Sequence, residues 1–290
     1  MKIELLLKFE LRFVLLNEIK PSLFLAPHIR LYRIVEFHFG QDIPLPVKAY
    51  PPRPELCLYF YPGEPDLVKY PGDLELKASK LVSLVGQQGF VNFRHVPKDF
   101  LLFQVVFQPC AFVQLTGIPG DQLTDRHFDA EDFFGRNVSL VNEQLFYASD
   151  YPSMIQIVEK FLLEVIKKKN KKTSHSVDEI SQMMVTENDD FSLEKFLKTA
   201  YLSHRHFDRK FKERVGLAPK RFLQIIRFDK AFRMKNRCPN KDWLSIALHS
   251  GYHDYQHLTK AYKEFTGYTP TQFFEIDMQA PERAFGEAEI

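Results

Sequence analysis

An α+β fold is predicted for this chain of 290 residues: a β-rich amino-terminal domain with short helices, then an all-α domain of two similar helical units joined by a central helix. Three observations predict it. Short runs rich in Leu, Val, Phe and Tyr, bounded by Pro and Gly, occupy residues 1 to about 150. From Phe191 to Phe274 the apolar residues recur at helical spacing between polar caps and glycines. Within that second block, ten residue pairs match at a single offset of 51 positions.

The clearest strand runs are Glu55–Tyr61, Lys80–Val85 and Leu101–Gln108. Pro51-Pro52, Pro62-Gly63, Gly86 and Pro109 bound them, as turn residues should. Met154 to Ile166 reads as a helix, with apolar residues at 154, 155, 158, 161, 162 and 165. It carries Ile157 and Leu163 besides that stripe, an apolar excess that packs on its own domain or on a partner copy. The second option gives the expectation of a homodimer. The basic and polar stretch 167–176 follows, a natural linker. The expected division is therefore a regulatory or dimerisation domain at 1–166, a linker at 167–176, a helical domain at 177–276 and an acidic tail at 277–290.

Composition is 45% hydrophobic and 26% charged, ordinary for a globular chain that buries a core. The net charge of +2 conceals an uneven distribution. Residues 191–274 hold 17 basic against 7 acidic side chains, a net +10, whereas 1–166 and 275–290 are each −4. Charge alone fits a nucleic-acid footprint and a solvated basic surface equally well. Cys57, Cys110 and Cys238 are odd in number, far apart and form no CxxC pair. That argues against a disulfide framework and fits a reducing compartment. Lys2, Glu4, Lys8, Glu10 and Arg12 interrupt the apolar amino terminus, which spoils both a membrane span and a signal peptide. The expected location is the cytoplasm.

The repeat pairs Tyr201 with Tyr252, His206 with His257, Phe207 with Leu258, Arg209 with Lys260 and Phe211 with Tyr262. It continues through Lys212 with Lys263, Glu213 with Glu264, Gly216 with Gly267, Pro219 with Pro270 and Phe222 with Phe273. Upstream the register slips by one, so that Leu197 answers to Ala247. Each copy has the logic of a helix-turn-helix. In the second, Trp243 to Ser250 forms a short helix with Ile246 and Ala247 inward, Gly251 suits its left-handed stop, and Asp254 caps the next helix. That helix buries Leu258, Tyr262 and Phe265 and ends at Gly267. In the first, Leu193, Phe196 and Leu197 lie on the leading helix, Ser203 caps the second, Phe207, Phe211 and Val215 are buried, and Gly216 closes it. Pro219 to Lys235 is the spacer, about 25 Å at about 1.5 Å per residue. That length can hold two helices in successive major grooves, about 34 Å apart.

These residues resemble the DNA-binding domain of the AraC/XylS family over about 175–276. Leu202-Ser203, Phe207, Phe211-Lys212, Gly216, Pro219 and Phe222 match its first half, and Arg227-Phe228 and Ala231 its central helix. Ile246-Ala247, Gly251-Tyr252, Leu258, Tyr262-Lys263, Gly267, Pro270 and Phe273-Phe274 match the second. Leu197 departs from the usual Ala, which should change packing rather than fold. Phe107 to Phe112, Leu115-Thr116-Gly117 and Leu123-Thr124-Asp125 are similar to sensor-like domains that precede this module in some members. The resemblance implies a sequence-specific transcriptional regulator, cytoplasmic, with double-stranded DNA and RNA polymerase as partners. It also implies a β-rich regulatory or dimerisation domain at the amino terminus and names no ligand; a small-molecule or protein effector is an expected partner there.

The first turns of each second helix would enter the groove. The expected DNA-binding residues are His204, Arg205, Asp208, Arg209 and Lys212 in the first copy, and Tyr255, Gln256, His257, Thr259, Lys260 and Lys263 in the second. Arg grips guanine, Gln pairs with adenine, and Asp208 either accepts from cytosine or orients Arg205 or Arg209. No catalytic residue, cofactor or metal is expected. His249, His253 and His257 are broken by Gly251 and Asp254, and the acids at 121, 125, 129, 131 and 132 read as a solvated loop rather than a calcium site. There is no Walker loop, GxSxG or HExxH. The alternative is an enzyme or small-molecule binding module in the amino-terminal domain, coupled to DNA binding.

Overall fold

The computed structural model describes residues 13–40, 47–168, 174–186 and 193–285. Half of the proposed linker, 169–173, and the end of the proposed acidic tail, 286–290, lie outside these.

Six antiparallel strands form one sheet: β1 (Phe13–Ile19), β2 (Ile29–His38), β4 (Cys57–Phe60), β7 (Val82–Val85), β9 (Asp99–Phe107) and β10 (His127–Asp129). Their order is β1-β2-β9-β4-β7-β10. A second sheet has the order β3-β8-β5-β6, from β3 (Val47–Tyr50), β5 (Leu67–Lys69), β6 (Lys77–Ala78) and β8 (Asn92–His95). Three of these strands coincide with the runs read from sequence. The long pair β1 and β2 lacks such clear punctuation, and Arg33, inward at 2% exposure, breaks its alternation.

The central strands bury both faces. On β9, Phe103, Val105 and Phe107 point into a core with the helices, while Phe100, Leu102 and Val106 point into a second core with Tyr59, Tyr61 and Val96. This is the period-two alternation of a strand covered on both sides. The helices on the first face are α1 (Ala111–Thr116), α2 (Glu131–Phe134), α3 (Asn137–Phe146) and α4 (Tyr151–Lys167). On α4, Met154, Val158, Phe161 and Leu162 are buried, and Ile157 and Leu163 are partly buried against the same core. That packing accounts for most of the apolar excess noted in the sequence.

The helical part comprises α5 (Ser176–Thr186), α6 (Leu193–Ala200), α7 (His204–Val215), α8 (Pro219–Arg237), α9 (Trp243–His249), α10 (Tyr255–Thr266) and α11 (Pro270–Asp277). Pro219 and Pro270 open their helices where a missing N–H costs nothing. At 19 residues, α8 is about 28 Å long and threads two separate cores. Phe222, Leu223 and Ile226 join Phe196, Phe207 and Phe211; Ile225, Phe228 and Phe232 join Ile246, Leu258, Tyr262 and Phe265.

The first part of the segment read as an acidic tail packs on the fold. It turns into a 3-10 stretch, Pro281–Phe285, and docks. Glu282 is 2% exposed and pairs with Lys48 of β3, while Arg283 bonds Asp277 at 2.6 Å and Asn236 at 2.7 Å.

Candidate nucleic-acid interface

Each helical unit buries one stripe of its second helix and leaves the first turns open. Phe207 and Phe211 on α7, and Leu258, Tyr262 and Phe265 on α10, are at most 1% exposed. Both helices end on left-handed glycines, Gly216 (φ 101°) and Gly267 (φ 82°), whose N–H groups bond the carbonyls of Lys212 and Lys263. The leading helix of the second unit also stops as expected, at Gly251 with φ 80°. In the first unit the corresponding left-handed residue is Tyr201, φ 51°, a position the sequence did not mark.

On α7, His204, Arg205, Arg209 and Lys212 are exposed and Asp208 is half-exposed. On α10, Tyr255, Gln256, His257, Lys260 and Lys263 are exposed and Thr259 is half-exposed. These eleven side chains thus form two open faces. Asp208 pairs with His204 at 3.3 Å rather than with Arg205 or Arg209, which leaves both guanidinium groups available. Thr259 donates its hydroxyl to the Tyr255 carbonyl at 2.9 Å, so toward a ligand it can only accept. Asp254 caps α10 by accepting from the His257 N–H at 2.8 Å; Ser203, at the same place on α7, makes no side-chain cap bond.

The +10 charge is only partly available. Arg214 is buried in a two-pronged pair with Asp178 of α5. Arg221 pairs with Glu264 and stacks at 4.1 Å on the Phe265 ring. Arg233 bonds Asp229 and reaches Glu18 and Glu55 of the amino-terminal domain, both at 3.7 Å. Lys235 donates to the carbonyls of Pro239 and Lys241 and lies 4.8 Å from the Trp243 ring, where burial lowers its pKa. Of the basic side chains, Lys198, Arg205, Arg209, Lys212, Lys220, Arg237, Lys260 and Lys263 stay exposed.

The amino-terminal domain encloses a small cavity of about 40 Å³ between its two sheets. Phe37, Phe100 and Leu102 line it on the apolar side; Arg33, Lys48 and Arg94 line the polar side together with Asp66 and, from the carboxy-terminal segment, Glu282, which pair with Arg94 and Lys48. Asp125, expected in a solvated loop, is half-buried with φ 57°, and its carboxylate accepts from the Gly89 N–H. Burial raises its pKa against the opposing effects of that bond and of Arg221. Cys57 and Cys110 are buried free thiols and Cys238 is exposed. Among the described residues no cluster of three His, Cys, Asp or Glu side chains could hold a metal ion, and no helix is long and apolar enough to cross a membrane.

Residues 197–276 match a family model described as a helix-turn-helix domain. An HTH-type transcriptional regulator of Haemophilus influenzae is 26% identical over 136 residues, 47% of this chain and 43% of that protein. The HTH-type transcriptional regulator MtrA of Neisseria gonorrhoeae is 29% identical over 94 residues, 32% of this chain and 31% of that protein. The chain thus spans less than half the length of either curated relative. Among solved structures, ToxT from Vibrio cholerae aligns over 84% of this chain and 96% of its own, at 10% identity and a TM-score of 0.45. A ToxT crystal with bound unsaturated fatty acid aligns over 90% and 97%, at 12% identity and a TM-score of 0.44. The matched residues, the two stacked units on α8 and the left-handed glycines agree: the carboxy-terminal part of this chain is an AraC-type helix-turn-helix domain.

Proposed function

We propose that the whole chain is a sequence-specific, DNA-binding transcriptional regulator, in which α7 and α10 read two adjacent major-groove segments. The observation that carries this is the pair of exposed first turns, Arg205 and Arg209 on one helix and Gln256 and Lys260 on the other, held on one 19-residue helix. Arg and Gln are side chains that reach base edges in pairs of hydrogen bonds, while Lys212 and Lys263 are suited to phosphates. Selection of bound duplexes from a random pool with the purified chain should return a site of about two helical turns with two conserved halves. Recovery of no preferred sequence would overturn the reading. Binding should also weaken steeply with salt, since each neutralised phosphate releases counterions.

The remaining expectations belong to the same proposal. The protein works in the cytoplasm, acts through RNA polymerase and carries no enzymatic activity. The amino-terminal domain serves regulation and, through α3 and α4, homodimerisation. Leu140, Phe146 and Tyr147 are 53%, 60% and 82% exposed on that face, an apolar patch that a second copy would cover. Light scattering across a dilution series of the full chain tests this; a mass that stays monomeric at tens of micromolar would exclude the dimer. A small effector seated between the two sheets would have to enlarge the 40 Å³ cavity there, which has room for about one water. It would act only by favouring one arrangement of the two domains over another.

A further inference from the structure

We propose that two loops of the amino-terminal domain, 86–91 and 120–125, fix the relative placement of α7 and α10. Gly120, Thr124 and Asp125 are then positioning residues for the choice of half-site spacing. The inference rests on the DNA-binding reading above and adds to it what sets the distance between the halves.

Loop 120–125 meets the carboxy-terminal end of α7. Thr124 donates its hydroxyl to the Gly216 carbonyl at 2.8 Å. A Cβ on Gly120 would lie 2.8 Å from the Gly216 nitrogen and 3.0 Å from the Val215 carbonyl carbon, so only glycine permits this approach. Loop 86–91 meets the corresponding end of α10. The Val91 N–H donates to the Phe265 carbonyl at 2.9 Å, and Arg221 donates to the Gly89 carbonyl at 3.1 Å while stacking on Phe265. The two loops are also fastened to each other. Asp125 N–H bonds the Gln87 carbonyl at 2.9 Å, Gly86 N–H bonds the Arg126 carbonyl at 3.0 Å, and the Asp125 carboxylate accepts from Gly89.

The result is a bracket that joins the ends of both recognition helices. The cores of the two units are separate and share only α8. A single shared helix sets their distance but leaves bending and twisting between them lightly resisted, since long helices curve at small cost. The two loops add an attachment at the helix ends, beside the core contacts that Cys110 and Ala49 make with the two units. This attachment touches the ends of α7 and α10 remote from His204, Arg205, Tyr255 and Gln256, so the reading faces stay open. Its effect is therefore on geometry rather than on access. One added base pair displaces a half-site by about 3.4 Å and rotates it by about 34°. Contacts as close as Gly120 on Gly216 do not absorb that.

The test uses the full chain and duplexes in which the two halves of its selected site stand one base pair closer, unchanged, and one or two further apart. The wild type should lose about tenfold in affinity per base pair of misplacement, about 1.4 kcal/mol. Gly120→Val and Asp125→Gly should bind the best spacing within about threefold of wild type but lose no more than about threefold per step. Asp125→Gly keeps the left-handed backbone and removes only the carboxylate, so it carries the test where Gly120→Val fails to fold. Thr124→Ser retains the hydrogen bond and should retain the wild-type profile. Loss of hydrogen-exchange protection at the Val91 amide reports release of the bracket. Released variants with an unchanged spacing profile, or a wild type indifferent to spacing, overturn the proposal alone. A wild type that binds no duplex overturns the DNA-binding reading as well.

Discussion

The two helix-turn-helix units occupy equivalent places on α8 but are held by different means. Position 265 of the second unit is Phe, at 1% exposure in an apolar core with Tyr262 and Phe228. Its counterpart 51 residues earlier is Arg214, buried against Asp178 of α5. The second unit turns on Gly251 and caps α10 with the Asp254 side chain; the first turns on Tyr201 and caps α7 with a serine that makes no side-chain bond. Both cores also take residues from the amino-terminal domain, Cys110 in the first and Ala49 and Val91 in the second. A repeat can thus keep its apolar stripe while one copy transfers part of its stability to elements outside the repeat.

The largest test of that difference is the buried pair. Arg214→Ala leaves the Asp178 carboxylate buried without its guanidinium, with neutral partners such as Gln114 and the His175 N–H, and should destabilise the chain by about 3–5 kcal/mol in chemical denaturation. Arg214→Met combined with Asp178→Leu should recover a large part of this, because two apolar side chains need no desolvated charge. If the single replacement cost under about 1 kcal/mol, the first unit would not depend on α5 and the contrast would fall.

A second test separates the halves by function. Arg205→Ala and Arg209→Ala should each cost about 1–3 kcal/mol and relax base preference in one half of the site only; Gln256→Ala should do the same in the other half. Lys212→Ala and Lys263→Ala should weaken all sequences alike and reduce the salt slope by about 1 each. Equal weakening of every sequence by the arginine replacements would reassign them to phosphates.

The stripe, the terminal glycines, the caps and α8 were legible because each is local: a period of 3.6, or one residue type at one helix end. Tyr201 was not, because the gapless repeat pairs it with Tyr252 and leaves the left-handed residue that answers to Gly251 one position off. Docking of the two domains was also illegible. Lys48 and Glu282 stand 234 positions apart, and Arg233 meets Glu18 and Glu55 from the far side of the chain. Ion pairs at such separations carry no periodicity. The same basic side chains therefore counted in the sequence toward a DNA footprint that the fold partly spends on its own interior contacts. Asp125 was misread for a similar reason, since its partner, Gly89, lies on another loop.

A smaller effect concerns the turn itself. Tyr201 holds a left-handed backbone while 95% exposed, so its side chain contributes little contact to set against the strain. Tyr201→Gly should stabilise the chain by about 1 kcal/mol, and Gly251→Ala should destabilise it by about as much. Thermal melts of the two variants should move in opposite directions. A loss of stability in Tyr201→Gly would mean that the tyrosine packs in a way its exposure hides.

The smallest effect lies one step further along, at the cap of α7. Ser203 has the extended backbone of an N-cap, φ −65° and ψ 150°, but its hydroxyl accepts nothing from the helix. Ser203→Asp would place a carboxylate where Asp254 already caps α10, and carboxylates are favoured beside the positive end of a helix. The expected gain is about 0.5 kcal/mol in stability. The same charge would stand at the amino terminus of a helix aimed at phosphates, next to His204 and Arg205. DNA affinity should therefore fall as stability rises, and the loss should shrink at high salt, where screening weakens the repulsion. A variant that gains in both stability and affinity would show that the start of α7 does not approach the DNA backbone. The two units would then differ in how they dock as well as in how they are held.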